Sequence, residues 1–272
     1  MVGTVDSCVL AGLEARRVHV EADIGRGRDV AFHLVGLAAT TVKEARERVR
    51  SAIKNSGLDY PRSRFTVSLA PAELRKEGSG FDLPIALALL AASRQVPPEA
   101  LGGHAAVGEL GLDGTLRPVG GVLAAAEGAR ESGMTRLLCA ADCAAEASLA
   151  GIEPVPVHHL AEAVAYLRGE WRPSPPDEPL ADANGSGPAI LDLADVRGQE
   201  RARRAVELAA AGGHNLLLAG PPGTGKTMLA RRLPGILPRL PPEEALEVTR
   251  IHSVAGLLPP GRPLVTVAPS RL

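Results

Sequence analysis

Aromatic side chains are nearly missing: one Trp, two Tyr and three Phe in 272 residues. A core must therefore be filled by Ala, Val, Leu and Ile. Cysteine is scarce and odd in number, with Cys8, Cys139 and Cys143 only. That excludes a disulfide framework and fits a reducing, cytoplasmic setting. Cys139 and Cys143 have no second ligand pair at metal spacing, so they read as small buried or helix-surface residues. Excess charge of one sign is also lacking. The formal net charge is -1, so no global electrostatic case exists for nucleic acid or membrane, and any such contact is local. There is no uncharged apolar run of about 18 residues and no basic start leading into an apolar stretch, which argues against a membrane-spanning or secreted chain.

What is present suffices for a globular protein. Hydrophobic residues make up 45% and charged residues 22%, and the length accommodates two domains. The stretch around which the chain is organised is Gly220-Pro221-Pro222-Gly223-Thr224-Gly225-Lys226-Thr227. An apolar run, Asn215-Leu216-Leu217-Leu218-Ala219, precedes it and predicts a strand. Met228-Leu229-Ala230 follows and predicts a helix. The spacing G-x-x-x-x-G-K-T is that of a phosphate-binding loop. Its backbone N–H groups must curl around an anion, and a Cβ obstructs some of the angles this requires. A helix starting near Lys226 points its positive end at the phosphates. In such a loop Lys226 would reach the β- and γ-phosphates of a nucleotide, and the Thr227 hydroxyl would bind Mg²⁺.

Before the loop, residues 16–24 alternate from Val18 and predict a half-buried strand, with residues 30–35 returning beside it. His19 and His33 fall on the polar side as solvated positions. Val42, Ala45, Val49 and Ile53 mark an amphipathic helix, with Thr41 and Glu44 as a capping box and Gly57 as its stop. Its other face carries Lys43, Glu44, Arg46, Glu47, Arg48, Arg50 and Lys54. Such mixed charge suits a solvated face, or a face that touches phosphate backbones. Residues 64–70 predict a strand, and the segment from Asp82 a helix that is apolar nearly all round and hence central. Residues 105–119 suggest a hairpin turning at Asp113-Gly114, followed by a helix to about Ser132. Residues 136–140, 142–150, 154–157 and 160–167 continue as strand, helix, strand, helix. The fold class is mixed α/β. Residues 173–189, rich in Pro, Gly and acid, read as a linker between domains over 1–172 and 190–272.

Two blocks, Lys76-Glu77-Gly78-Ser79-Gly80-Phe81-Asp82-Leu83-Pro84 and Gly108-Glu109-Leu110 with Gly114-Thr115-Leu116-Arg117-Pro118-Val119-Gly120-Gly121, resemble the Lon-protease-like domain of ribosomal-protein-S5 domain 2-type fold. The resemblance implies a Ser–Lys dyad, but the Ser position falls on Gly80 and the Lys position on Leu123. Ser79 is one residue early, and Lys43, Lys54 and Lys76 are the lysines left to serve it. The first domain therefore reads as a non-peptidase. The segment Val196-Arg197-Gly198-Gln199 resembles the region that packs on adenine in AAA+ ATPases, which implicates Val196 and Gly198 in nucleotide binding. With Gly36-Leu37, Thr41-Val42-Lys43-Glu44, Asn55-Ser56-Gly57, Leu69-Ala70-Pro71-Ala72 and Ala211-Gly212-Gly213-His214-Asn215-Leu216-Leu217, nearly all of residues 1–263 is similar to the ComM (YifB-type) magnesium-chelatase-like AAA+ ATPases.

That resemblance implies a P-loop αβα module behind the Lon-like domain, an ATP- and Mg²⁺-dependent hexameric ring, and DNA as partner, single-stranded or branched. It implies branch migration during uptake of transforming DNA. The chain departs from the pattern after Thr227. No apolar strand ends in Asp-Glu, since Pro241-Pro242 precede Glu243-Glu244, and no sensor or arginine finger is identifiable. Residues 264–272 do not continue as the family would. The expectation is a truncated motor that binds nucleotide and assigns no catalytic residue. The alternatives are a non-enzymatic DNA-binding or assembly module with a vestigial ATPase stub, and, disfavoured, a peptidase.

Overall fold

The computed structural model describes residues 2–25, 32–37, 39–61, 63–174, 191–258 and 263–268. The chain divides into two compact units, Met1–Pro179 with Arg250–Pro263, and Leu180–Thr249 with Leu264–Leu272. Most of the linker expected over 173–189 lies outside the described residues.

The first unit is mixed α/β. Its strands are β1 (Val2–Ala11), β2 (Glu14–Ile24), β3 (Phe32–Val35), β4 (Phe65–Ala70), β5 (His104–Ala106), β6 (Glu109–Leu110), β7 (Leu116–Arg117), β8 (Arg136–Ala140) and β9 (Glu153–Val157). Seven of them form one sheet in the order β3-β4-β2-β1-β5-β8-β9, and β6-β7 form a separate ribbon. Four of the six pairings in the large sheet are parallel. The helices are α1 (Thr40–Asn55), α2 (Asp82–Ala92), α3 (Val122–Glu131), α4 (Ala144–Ser148) and α5 (Leu160–Leu167).

All eleven residues of α2 are buried, because a helix with apolar groups on every side has no face to give to water. It crosses β1 so closely that a Cβ on Gly3 would lie 2.2 Å from the Ala88 carbonyl oxygen. Around α2 the core is aliphatic, built from residues such as Val5, Val20, Val67, Ile85, Leu87, Leu90 and Leu138, with Phe65 its one fully buried large aromatic. Asp82 opens α2 and is itself fully buried. Arg48 of α1 donates to both its oxygens, at 2.6 and 3.0 Å, and the Leu110 N–H donates at 3.2 Å. Burial pushes the Asp82 carboxyl upward, and the Arg48 and Leu110 bonds pull it back. The pair ties α1, α2 and β6 together at one point.

Several sequence expectations hold. β4, α2, α3, β8, β9 and α5 fall where the patterns put them. His33 is exposed, and His19 is half exposed beside Asp6. Gly57 ends α1 at φ +72°, with the Gly57 N–H on the Lys54 carbonyl and the Leu58 N–H on that of Ile53, a Schellman stop.

Others need correction. β1 precedes the first expected strand and forms the hairpin with β2, turning at Gly12-Leu13. Residues 32–35 do not return beside residues 16–24. β4 takes that place, and β3 pairs with β4 in parallel. Thr41 is not a cap: α1 starts at Thr40 behind Ala39, with no side-chain cap bond. The expected hairpin over 105–119 shrinks to β6 and β7, because His104–Ala106 is claimed by the large sheet between β1 and β8.

The second unit contains α6 (Glu200–Gly212), α7 (Lys226–Ala230), α8 (Leu233–Ile236) and most of α9 (Pro242–Val254). Its core is small: Leu193, Val196, Val206 and Leu229, flanked by Ala202, Leu218, Leu233 and Ile236. Among the described residues of this unit there is no strand, so the strand expected over 215–219 does not form and no αβα sheet is seen. A strand's N–H and C=O groups need a neighbouring strand, and none of the described residues supplies one. Leu217 is accordingly 90% exposed. No helix among the described residues is long and apolar enough to cross a membrane.

Replacing Arg48 with Ala strands the Asp82 carboxylate in the core. It should cost about 3–5 kcal/mol, the penalty for breaking a buried ion pair, measured as a lowered midpoint of the first unit's transition in urea. A loss under ~1 kcal/mol would place the pair among exposed, weakly contributing ones.

Candidate nucleotide site

The loop Gly220–Thr227 connects the unpaired apolar segment to α7. Gly223 and Gly225 sit at φ +82° and +78°, in the left-handed region that L side chains rarely adopt. The chain thereby curls, and α7 begins directly after Gly225. Pro221, Pro222, Gly223, Thr224 and Thr227 are exposed. The Lys226 side chain folds back over the loop. Its Nζ donates to the carbonyls of Gly220 at 2.8 Å and Pro221 at 2.7 Å. The Thr224 hydroxyl donates to the Pro221 carbonyl at 3.0 Å. The loop is thus shaped by bonds to its carbonyls. Among the described residues the N–H groups of Gly223, Thr224, Gly225, Lys226 and Thr227 have no acceptor. Five consecutive amides without acceptors, at the start of a helix and beside an ammonium, make a concentration of positive dipoles.

Two residues that the motif does not contain hold the loop in place. Gln199, just before α6 and at φ +54°, donates from Nε2 to the Thr224 carbonyl at 3.1 Å. A Cβ on Gly225 would approach that same nitrogen to 2.9 Å. Arg232 donates to the carbonyls of Asp192 at 2.9 Å and Met228 at 3.1 Å, tying the 192–196 segment to α7. The sequence signal for Gln199 was its place in the Val-x-Gly-Gln segment. Arg232 had none: both its hydrogen bonds go to backbone carbonyls, and its side-chain contact is a long one, 3.9 Å to Asp195. Of the two residues implicated on the adenine side, Val196 is buried in the small core, and Gly198 is exposed at φ +71°, next to Gln199. Gln199 brings the 196–199 segment against the loop.

The positions that a Ser–Lys dyad would need lie in the first unit. Leu123 is fully buried, and the Gly80 carbonyl accepts from the Gly108 N–H at 2.9 Å. Lys76 is buried, which lowers its amine pKa, and its Nζ donates to the Pro71 carbonyl. Among the described residues no hydrogen bond joins Ser79 to Lys76. No group of three or more His, Cys, Asp and Glu side chains suited to a metal occurs among the described residues.

Comparison with known proteins places this geometry in context. The family model described as subunit ChlI of Mg-chelatase matches residues 20–142, and that described as magnesium chelatase, subunit ChlI, matches 192–271. The chain is 48% identical to the uncharacterized protein YifB of Escherichia coli over 90% of its own length and 48% of that protein's. It is 45% identical to the competence protein ComM of Haemophilus influenzae, over 89% of its length and 48% of that protein's. An uncharacterized protein of Mycobacterium tuberculosis is 46% identical over 98% of this chain and 53% of its own length. The chain thus spans about half the length of the curated relatives it matches.

Substituting Gly225 with Ala places a side chain at a left-handed angle, costing roughly 1–2 kcal/mol, and presses on Gln199. Native-state proteolysis followed by mass spectrometry should show faster cleavage between residues 199 and 231. An unchanged rate would mean that the loop is not held as described.

Proposed function

The chain belongs to the ComM/YifB-type family of magnesium-chelatase-like proteins, and on that footing we propose that residues 220–227 hold the phosphates of ATP together with Mg²⁺. The observation that carries this reading is the run of acceptor-free N–H groups from Gly223 to Thr227. They suit phosphate oxygens, and the loop that presents them is braced by its own carbonyls and by Gln199. Lys226 exchanges its two carbonyl partners for phosphate oxygens, a stronger, charge-assisted bond. The exposed Thr227 hydroxyl supplies one oxygen to the metal. Gly198, exposed beside Gln199, is assigned to the adenine side, and Val196 supports that segment from within the small core.

Among the described residues after Thr227 no carboxylate stands at the end of a strand to polarise water. Glu243 and Glu244 stand instead in the first turn of α9. We read residues 190–272 as the nucleotide-binding part of an AAA+ module that does not by itself hydrolyse ATP. The first unit is read as a Lon-like, S5 domain 2-type fold without a dyad, supported by the placement of Gly80 and Leu123. For the whole family protein the reading is a cytoplasmic, ring-forming motor, hexameric when complete, that drives DNA branch migration. This chain contributes its nucleotide grip and its first domain.

A fluorescent ATP analogue should bind the purified chain in a Mg²⁺-dependent way. Lys226→Ala should weaken binding roughly 10- to 150-fold, the equivalent of one charge-assisted hydrogen-bond set. Thr227→Ala should remove most of the Mg²⁺ dependence, and no phosphate should be released. Equal affinity in the Lys226 variant would contradict the site. Phosphate release in proportion to chain concentration would contradict the absence of hydrolysis.

A further inference from the structure

One flank of α1 is not used by the fold. Its core row, Val42, Ala45, Val49, Ala52 and Ile53, is buried. On the flank to one side, Arg48 is committed to Asp82 and lies 4.0 Å from Glu44. On the other flank Arg46, Arg50 and Lys54 follow one another at steps of four residues. That puts them in a single row, rising about 6 Å per step along the helix. Among the described residues neither Arg50 nor Lys54 forms an ion pair. Arg46 has only a 3.5 Å contact with the adjacent Glu47, both side chains exposed, a pairing that contributes little.

The middle residue of the row is held in position. The Arg50 guanidinium lies over the Tyr60 ring at 6.0 Å. Tyr60 in turn meets the buried Phe65 edge-on at 5.4 Å. Burial pushes the Tyr60 phenol upward, the positive charges of Arg50 and Arg46 draw it back, and Glu47 adds to the upward push. A guanidinium already stacked on a ring loses less freedom when it takes up an anion. The ring that carries it has one face covered by Arg50 and its edge against Phe65, which leaves it poorly placed to stack a base. The row therefore offers charge at regular spacing and little for reading sequence.

We propose that Arg46, Arg50 and Lys54 form a contact row for the sugar–phosphate backbone of a single DNA strand. The proposal rests on the reading of the protein as one that acts on DNA, and it names the surface on the first unit that does so. Contacts to phosphate position a protein without specifying sequence, which suits a motor that must pass over any sequence. With a net charge of only -1 on the whole chain, any attraction to a nucleic acid is local, as a single row of cations is.

The test is fluorescence anisotropy of a labelled oligothymidylate with the full chain over a range of salt. Three phosphates neutralised on a single strand predict a slope of about -2 for log affinity against log salt. Arg46→Ala/Lys54→Ala removes two exposed cations, one of them paired only with the exposed Glu47, so its thermal melt should closely match that of the unsubstituted chain. It should make the slope shallower by about 1.4. Arg16→Ala/Arg136→Ala, distant exposed arginines on β2 and β8, should leave it unchanged. Lys226→Ala should bind the oligonucleotide normally, so a failure of the nucleotide site is separable from a failure of this row. No binding at low salt, an unchanged slope in Arg46→Ala/Lys54→Ala, or an equal loss in Arg16→Ala/Arg136→Ala would overturn the proposal.

Discussion

A helix with no polar side cannot touch water, and most of the first unit follows from that constraint on α2. Its eleven residues are all enclosed. Enclosure requires β1 to pass within contact distance of its backbone, which only glycine at position 3 allows. It also requires the one charge at its start, Asp82, to be neutralised internally, and Arg48 does so from α1. The sheet's strand order, with β5 brought in beside β1, extends the apolar surface that the helix lies on. Because aromatics are so few, the enclosure is made by many small aliphatic contacts, each worth on the order of 1–3 kcal/mol when fully buried.

The second unit is organised differently. Its core consists of a handful of residues, and its most distinctive segment is held by polar bonds. Lys226 and Thr224 take up the loop carbonyls, Gln199 clamps the loop from just before α6, and the amides of residues 223–227 are left without acceptors among the described residues. That division of labour gives a loop shaped without a ligand and chemically unsatisfied on the side a phosphate would occupy. The apolar run before it stays without a ladder because strand structure, unlike helix, needs a partner distant in sequence.

The same distinction explains what could be read from the sequence. The central helix, its Asp82 start, the Gly57 stop and the glycine turn that leads into α7 are local patterns, and each stands where its pattern put it. Strand neighbours are not local. The sequence around residues 30–35 looked like the second half of a hairpin, yet β4, from thirty residues further on, took the central position. His104–Ala106 resembled a hairpin arm and became a parallel strand. β1 was overlooked although Val5, Ser7 and Val9 alternate inward, because its outward positions are mixed rather than charged. At the site, the glycines and Lys226 were legible from spacing alone. The bracing role of Gln199 was not, since a side-chain bond to a backbone carbonyl leaves no mark in the pattern of residue types.

The central claim is that the acceptor-free amides of residues 223–227 are the groups that receive phosphate. Amide hydrogen exchange followed by mass spectrometry tests this most directly, with the chain alone and with Mg²⁺ and ADP. The account predicts rapid exchange across the loop in the free chain and strong protection confined to the loop and the start of α7 when nucleotide is present. Protection appearing elsewhere while residues 223–227 continue to exchange freely would contradict it.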